Sequence, residues 1–152
     1  MFRLSQRADY GLILLSSFAA HAAKASRAKK AMEDKSSKFI SISVIANKYK
    51  LSPKFLSQIA QDLKKAGILK AKEGTGGGYS LAKKPQEIKL IDILKILEGE
   101  FFEGKCFRDE DKCVCGAKGI WKEIKDQMQA MLSDKTIADL VSQVRGSTPK
   151  YS

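Results

Sequence analysis

The chain has 152 residues, of which 28 are Lys or Arg and 17 are Asp or Glu, giving a formal net charge of +11 and a pI near 9.6. This length allows one modest core or a small domain with an extension, and this charge favours an anionic partner such as duplex DNA, because neutralised phosphates release counterions. No apolar run approaches the roughly 20 residues of a membrane span, and the stretch from 12 to 23 lacks a credible cleavage site, so we expect a cytoplasmic protein without a membrane partner.

The first predicted element is a core helix over about Ser5 to Ala23. Its apolar side consists of Leu12, Ile13, Leu15, Ser16, Phe18 and Ala19. Residues 24–38 have no apolar stripe and carry six basic residues against two acidic ones. We interpret them as a basic loop or a frayed helix end, either solvated or in contact with flanking phosphates.

Two short helices separated by a tight turn follow. Ser41 begins the first, and Ser52 with Pro53 provides the N-cap and first residue of the second. The second helix is expected to bury Phe55, Leu56, Ile59 and Leu63 and to expose Lys54, Ser57, Gln58, Gln61, Lys64 and Lys65. These exposed groups suit a recognition helix in the major groove, although the pattern alone also fits an amphipathic helix with a solvated face.

A glycine-rich turn separates two alternating segments after this helix, which stops at Gly67. The segments run from Ile68 to Ala71 and from Tyr79 to Ala82, and the turn between them contains Gly76, Gly77 and Gly78. This order predicts a β-hairpin wing whose tip can approach a phosphate backbone. Between residues 48 and 89 there are ten basic residues and three acidic ones, so the basic excess lies on the predicted helix-turn-helix and wing.

The C-terminal third is predicted to be helical with an interposed cysteine segment. A short helix from Leu90 ends at Gly99, a longer one covers about Ala117 to Leu132, and a last one is capped by Asp134 or Thr136. The longer helix repeats apolar residues at spacings of three and four: Ile120, Trp121, Ile124, Met128, Met131 and Leu132. A protruding apolar stripe needs cover, and a second copy of the helix is the economical partner, so we predict a homodimer.

The fold class predicted from these elements is mainly α. It is a winged helix-turn-helix DNA-binding domain with a two-stranded β wing and a long C-terminal dimerisation helix. We expect residues 1–98 to form the DNA-binding domain, with the basic loop at 24–38 and the wing at 68–82. Residues 99–116 would form a sensor loop, and residues 117–152 the dimerisation helix and tail.

Three cysteines lie within ten residues of one another. Cys106, Cys113 and Cys115 follow a C-x6-C-x-C spacing in an acidic segment. A cytoplasmic compartment disfavours disulfides, which leaves zinc, an iron–sulfur cluster, thiol-based redox sensing, or three structural thiols. Zinc in a closed site needs a fourth ligand, and the chain's one histidine, His21, is remote in sequence.

Taken together, the motifs resemble those of the bacterial IscR/NsrR-type winged-helix transcription regulators. The likeness runs through the opening around Arg3 and Asp9, the segments 43–46 and 52–59, the Gly76–Leu81 wing and the cysteine segment. The resemblance implies a homodimer on a palindromic promoter site. In the cysteine-bearing branch it also implies a [2Fe-2S] or [4Fe-4S] cluster that reports cluster supply, nitric oxide, oxygen or redox state.

The resemblance also implies roles for individual residues. Cys106, Cys113 and Cys115 would be cluster ligands, and Asp9 would supply a fourth ligand to the partner subunit's cluster; the alternative for Asp9 is a surface carboxylate favoured by the helix dipole. The expected DNA contacts are Arg3, Ser52, Lys54, Ser57, Gln58, Lys72, Thr75, Gly76, Gly77 and Tyr79.

The sequence departs from the family pattern at three places. The cysteines are less evenly spaced, Lys118 falls near the position where some members place a histidine ligand, and Glu73 replaces an arginine of the wing. The alternative hypothesis is a regulator of the same fold that holds no cluster and whose DNA binding is controlled by zinc, thiol oxidation or a protein partner. An enzyme is not expected, because we find no nucleophile paired with a base and no phosphate-binding loop that opens a helix.

Overall fold

The computed structural model describes residues 5–28, 39–99 and 116–144. In chain order, the elements of this part of the chain are α1 (Gln6–Ala28), α2 (Ile42–Tyr49), α3 (Pro53–Lys65), β1 (Leu69–Lys72), β2 (Gly78–Leu81), a 3₁₀ turn (Pro85–Glu87), α4 (Leu90–Glu98), α5 (Ala117–Asp134) and α6 (Ile137–Val144). The expected mainly helical fold with a two-stranded wing is confirmed. None of the described helices combines the length and apolarity needed to cross a membrane.

The turn between α2 and α3 is fixed by local hydrogen bonds. Ser41 caps α2 by accepting from the N–H of Ser43, and Lys50 ends it in the left-handed conformation at φ 55°. The N–H of Leu51 donates to the carbonyl of Ala46 over 2.9 Å, and Ser52 then caps α3 by accepting from the N–H of Phe55. These caps satisfy backbone groups that a helix end leaves unpaired, so the helix-turn-helix begins and ends where its sequence dictates.

The core forms where α1 crosses the other elements. Leu14, Leu15 and Phe18 of α1 are buried, and they belong to one cluster with apolar residues of α2, α3, β1 and α4. The other buried members of this cluster are Ala19, Ile42, Ile45, Ala46, Leu56, Ile59, Ala60, Leu63, Ile68, Leu69, Ile88, Ile93, Leu97 and Ile137. A single core therefore holds α1 against the helix-turn-helix and the wing.

The wing is antiparallel and is tied to the segment before α2. Leu69 faces Leu81 and Lys72 faces Gly78 in the register of the hairpin. Ile40 pairs with Tyr79 through two backbone hydrogen bonds of 3.0 and 2.9 Å. Strand β2 is thus hydrogen-bonded on both edges close to the tip, which fixes the direction in which the tip projects.

Helix α6 packs onto α1 and the 3₁₀ turn of its own chain. The N–H of Ile137 donates to the carbonyl of Ile88 over 3.0 Å, and Ile137 is fully buried. Asp139 accepts hydrogen bonds from the N–H and hydroxyl of Thr136, each of 2.9 Å. These bonds, the backbone one first, lower the pKa of the exposed Asp139 carboxyl below its ordinary value of 3.8.

Several boundaries differ from the sequence expectation. Helix α1 continues to Ala28 instead of ending near Ala23, so part of the expected basic loop is helical. Leu14, absent from the predicted core side, is fully buried, whereas Leu12, Ile13 and Ser16 are half-buried. Helix α5 extends to Asp134, and the cap of α6 is Thr136. The rest of the expected basic loop lies outside the described residues.

Candidate nucleic-acid interface

Helix α3 presents a polar and cationic face to solvent. Its apolar residues Leu56, Ile59, Ala60 and Leu63 are buried, and Phe55 is half-buried in an edge-to-face contact with Tyr10. Lys54 and Gln58 are exposed, and Ser57 is half-exposed. Ser52 is also exposed, with its hydroxyl engaged as the cap acceptor. This face offers donors and acceptors of the kind that read base edges in the major groove.

The one acidic residue of α3 is paired inside the protein. Asp62 forms a salt bridge with Arg7 of α1, and both side chains are about one-third exposed. Pairing removes an uncompensated negative charge from a helix that would face phosphates. It also links the start of α1 directly to the recognition helix, a contact between residues 55 positions apart that no local motif signals.

The wing tip has a backbone that only glycine fits at two positions. A Cβ at Gly77 would clash with the carbonyl oxygen of Lys72 and would lie 2.8 Å from that of Gly74. Gly78 has φ 137°, and its Cβ would collide with the backbone of Ile40. The tip residues Thr75 and Gly76 are exposed. The glycine run therefore gives a compact, bare tip that can approach another molecule closely.

The cations of the wing stand on one face of β1. The ammonium groups of Lys70 and Lys72 each lie 6.0 Å from the ring centroid of Phe39. A cation at this distance from an aromatic face is weakly attracted to it, which limits the positions the side chain samples. Phe39 thus orients Lys72, an expected DNA contact, while Glu73 is exposed beside the tip.

Tyr79 has a packing role in the structure. Its ring is half-buried with its centroid 6.4 Å from that of Phe18, and its backbone pairs with Ile40. The sequence proposed Tyr79 as a DNA contact. Its position also anchors the wing to α1, so it can affect a bound duplex through the orientation of the hairpin, and the direct contact stays a prediction.

Asp9 lies in α1 between residues that contact the end of α4. It is exposed in the first turn of this helix. Ser5 donates a hydrogen bond to Glu98, and Gly11 leaves no space for a Cβ beside Leu97. Cys106, Cys113 and Cys115, like Arg3, lie outside the described residues. Within the described ranges, no group of three or more metal-binding side chains occurs.

Helix α5 has an apolar stripe that the described part of the chain leaves exposed. Ile120 is 62% exposed, Trp121 48%, Ile124 37% and Met131 70%. No residue of this helix is buried. Large apolar side chains clustered on one exposed helix typically mark a surface that another molecule covers.

The sequence has clear similarity to known regulators. The profile of the Rrf2 family, described as an iron-dependent transcriptional regulator, matches residues 4–143. The transcriptional regulator CymR of Bacillus subtilis is 32% identical over 73% of this chain and 78% of its own. Protein rrf2 of Nitratidesulfovibrio vulgaris is 30% identical over 91% of this chain and 87% of its own. The regulator NsrR of Shouchella clausii is 30% identical over 68% and 73%.

Solved structures of similar proteins have the same fold. The structure of CymR, the global cysteine regulator of B. subtilis, covers 94% of this chain and is itself covered to 98%, with a TM-score of 0.75 and 27% identity. IscR of T. potens matches with a TM-score of 0.73 and 25% identity over 98% of this chain and 93% of its own. Both the helix-turn-helix and the helices after it are therefore shared with transcriptional regulators.

Proposed function

This chain belongs to the Rrf2 family of transcriptional regulators, and on that premise we propose that it is a cytoplasmic homodimer that binds a palindromic promoter site and is switched by an iron–sulfur cluster on its cysteine segment. Regulation of transcription through a winged-helix DNA-binding unit follows from the family. The dimer, the cluster and the individual contacts are the proposal. The observation that carries it is the basic face of α3 beside a glycine-tipped wing, together with a stripe of large apolar side chains on α5 that is exposed in the described part of the chain.

The proposed contacts with the major groove come from α3 and its cap: Ser52, Lys54, Ser57 and Gln58. The proposed contacts with the adjacent backbone or minor groove come from the wing: Lys72, Thr75, Gly76 and Gly77. Two copies related by a two-fold axis would place two such faces on half-sites. The apolar stripe of α5 supports this arrangement, because burial of Ile120 and Trp121 between two copies would also set the spacing of the recognition helices.

The donor set of the cysteine segment suits an iron–sulfur cluster. Cys106, Cys113 and Cys115 provide three thiolates, which are the ligands that such clusters prefer. Asp9, exposed in the first turn of α1, is the proposed fourth ligand, supplied to the partner subunit. When bound, the cluster would supply a redox-active iron centre.

The chain's own contacts can relay a change in the cysteine segment. This segment joins the end of α4 to the start of α5, and the end of α4 contacts Ser5 and Gly11 of α1. Arg7 of α1 in turn binds Asp62 of α3. A displacement of α1 relative to α4 would therefore change the position of α3, the proposed recognition helix. Because tight binding needs both half-sites to be engaged together, this change would lower the affinity of the dimer for DNA.

A second function is favoured by the similarity to CymR. A cluster-free regulator of the same fold would respond through zinc, thiol oxidation or a protein partner. Structures of CymR from Staphylococcus aureus, one of them an oxidised form, match this chain with 28% identity and TM-scores of 0.66 and 0.64. If thiol oxidation is the signal, the thiols of the three cysteines would themselves be the groups that sense it.

Selection of binding sites from a random duplex pool tests the DNA-binding proposal. Full-length protein should enrich an inverted repeat, and Lys54→Ala with Gln58→Ala should weaken binding to that repeat at least tenfold, about 1.4 kcal/mol. A matched control, Lys83→Ala with Gln86→Ala, changes exposed residues away from α3. Enrichment of a single asymmetric site, or equal losses in the two double variants, would refute the proposed interface.

Metal content distinguishes the two forms of control. Protein purified without oxygen should be brown, contain iron and sulfide, and bleach in air or nitric oxide. Asp9→Ala should alter its visible spectrum, whereas Asp92→Ala, at another exposed first-turn carboxylate, should not. A colourless protein with stoichiometric zinc or no metal rejects the cluster. A spectrum unchanged by Asp9→Ala removes its ligand role.

A further inference from the structure

A cavity of about 440 Å³ lies behind the helix-turn-helix, between the second half of α1, α2 and Val141 of α6. This volume falls in the range of small-molecule sites in proteins. Residues 9 and 21 are twelve positions apart on α1, which corresponds to roughly 18 Å along the helix axis. The cavity is therefore separate from Asp9 and the proposed cluster.

Two residues of the cavity lining each have a buried polar atom without a hydrogen-bond partner among the described residues. The Nδ1 of His21 and the hydroxyl of Ser17 are both buried and form no hydrogen bond. Ser17 differs in this from Ser16 and Ser26, whose hydroxyls donate to carbonyls of the same helix at 3.0 and 2.9 Å. Buried polar groups are almost always satisfied, so unpaired ones that line a cavity indicate a missing ligand or water.

The described charged residues that line the cavity are of one sign. Lys24 of α1 and Lys48 of α2 line it, and no acidic residue among the described residues does. Most of the remaining lining is apolar and includes Ile45, Val44 and Val141. Ser17 and His21 are one helical turn apart on α1, and Lys24 is three residues further, so all three share a face.

We propose that this cavity binds a small organic acid, with the carboxylate on Ser17, His21 and the two lysines and the apolar body against Val44, Ile45 and Val141. A carboxylate accepts hydrogen bonds and would satisfy both unpaired groups once the two side chains turn toward it, since the Ser17 hydroxyl and an N–H at His21 Nδ1 each donate. The ligand would contact α1, α2 and α6 at once. Its occupancy would bias the position of the helix-turn-helix and give the regulator a second input besides the cysteine segment.

The single histidine makes this binding directly observable. With one histidine and one tryptophan in the sequence, NMR of the full-length protein gives one imidazole reporter in the cavity and one indole reporter on α5. We would titrate benzoate, phenylacetate and 4-methylpentanoate, each against its neutral amide. The acids should shift the His21 signals saturably at millimolar concentrations, as expected for small ligands. The amides should shift them far less, and the Trp121 indole signal should stay in place.

Charge-removing variants provide the control. Lys24→Gln with Lys48→Gln changes two exposed side chains and should raise the Kd of the best acid about tenfold. Lys83→Gln with Lys95→Gln removes the same charge elsewhere and should leave it unchanged. The proposal is overturned if acids and amides shift His21 equally, if neither does up to about 20 mM, or if both double variants lose affinity equally. None of these binding outcomes depends on the proposed DNA site, whose response to saturating acid is a separate measurement.

Discussion

Trp121 should contribute strongly to dimer formation, and the effect can be worked out from its exposure. An aromatic side chain buries roughly 200 Å² when fully covered, and Trp121 is 48% exposed in the single chain. Covering it completely would remove about 100 Å² per subunit from water, worth ~2.5 kcal/mol at about 25 cal/mol per Å². A two-fold dimer contains two such residues, so Trp121→Ala should cost about 5 kcal/mol and raise the dimer Kd by 10³ to 10⁴-fold, an order-of-magnitude figure.

Sedimentation equilibrium over a dilution series measures this Kd. Wild-type protein should remain dimeric at micromolar concentration, where Trp121→Ala should be largely monomeric. Lys122→Ala is the matched control, because it truncates the neighbouring exposed side chain of the same helix without removing apolar contact area. Far-UV circular dichroism should show that the variant keeps its helices, since Trp121 lies outside the buried core.

Two results would refute this reasoning. A wild-type protein that sediments as a monomer at micromolar concentration would show that the stripe of α5 is not a dimer interface. A Trp121→Ala protein that dimerises as tightly as wild type would show that the dimer uses another surface. A monomeric variant should also bind a palindrome no better than a half-site, which links the assembly state to the regulatory function.

Three further predictions concern the wing and the cap of α6. Glu73→Arg should raise affinity for non-specific DNA and steepen its dependence on salt by about one unit of log–log slope per added phosphate contact, whereas Asp92→Arg, off the wing, should not; binding at several salt concentrations decides this. Gly77→Ala should strain the wing tip by about 1–3 kcal/mol, seen as weaker DNA binding, while Gly119→Ala meets open space and should not weaken it. Because hydrogen bonding lowers the pKa of Asp139, its stabilisation is present above the unfolded pKa and is lost as the pH falls through the lower folded value. Thermal unfolding should therefore show a gap between wild type and Asp139→Asn at neutral pH that closes in strong acid.

The recognition unit was readable from sequence because its signals are local. The start of α3 is predicted by its N-cap Ser52 and by Pro53 in its first turn. The turn of the wing is predicted by Gly77 and Gly78, where a Cβ would clash with the backbone. Such signals act within a few residues, so one sequence suffices to place them. The buried residues Leu56, Ile59 and Leu63 of α3 followed from their spacing in the same way. Two residues differ from the expectation: Phe55 is half-buried, and the buried Ala60 is too small to stand out in the pattern.

The contacts that could couple the candidate sites were not readable from sequence. The Arg7–Asp62 pair spans 55 positions and the Ser5–Glu98 bond spans 93. Neither has a local motif, because tertiary packing alone brings these residues together. The cavity beside His21 could not be predicted from sequence for the same reason. Its walls come from three helices, and an isolated histidine in a helix does not indicate what surrounds it.

Helix α1 is the element on which the proposed inputs converge. Its first turns contact the end of α4, from which the cysteine segment departs, and bind α3 through Arg7. Its second half forms one wall of the cavity whose opposite wall is α2. Because Leu14, Leu15 and Phe18 in its centre are buried in the core, a close-packed interior would resist bending and favour motion of the helix as a unit. A signal at either end would then reach the recognition helix through the same rigid body, so the two inputs should be energetically coupled, each changing the affinity for the other by the same factor.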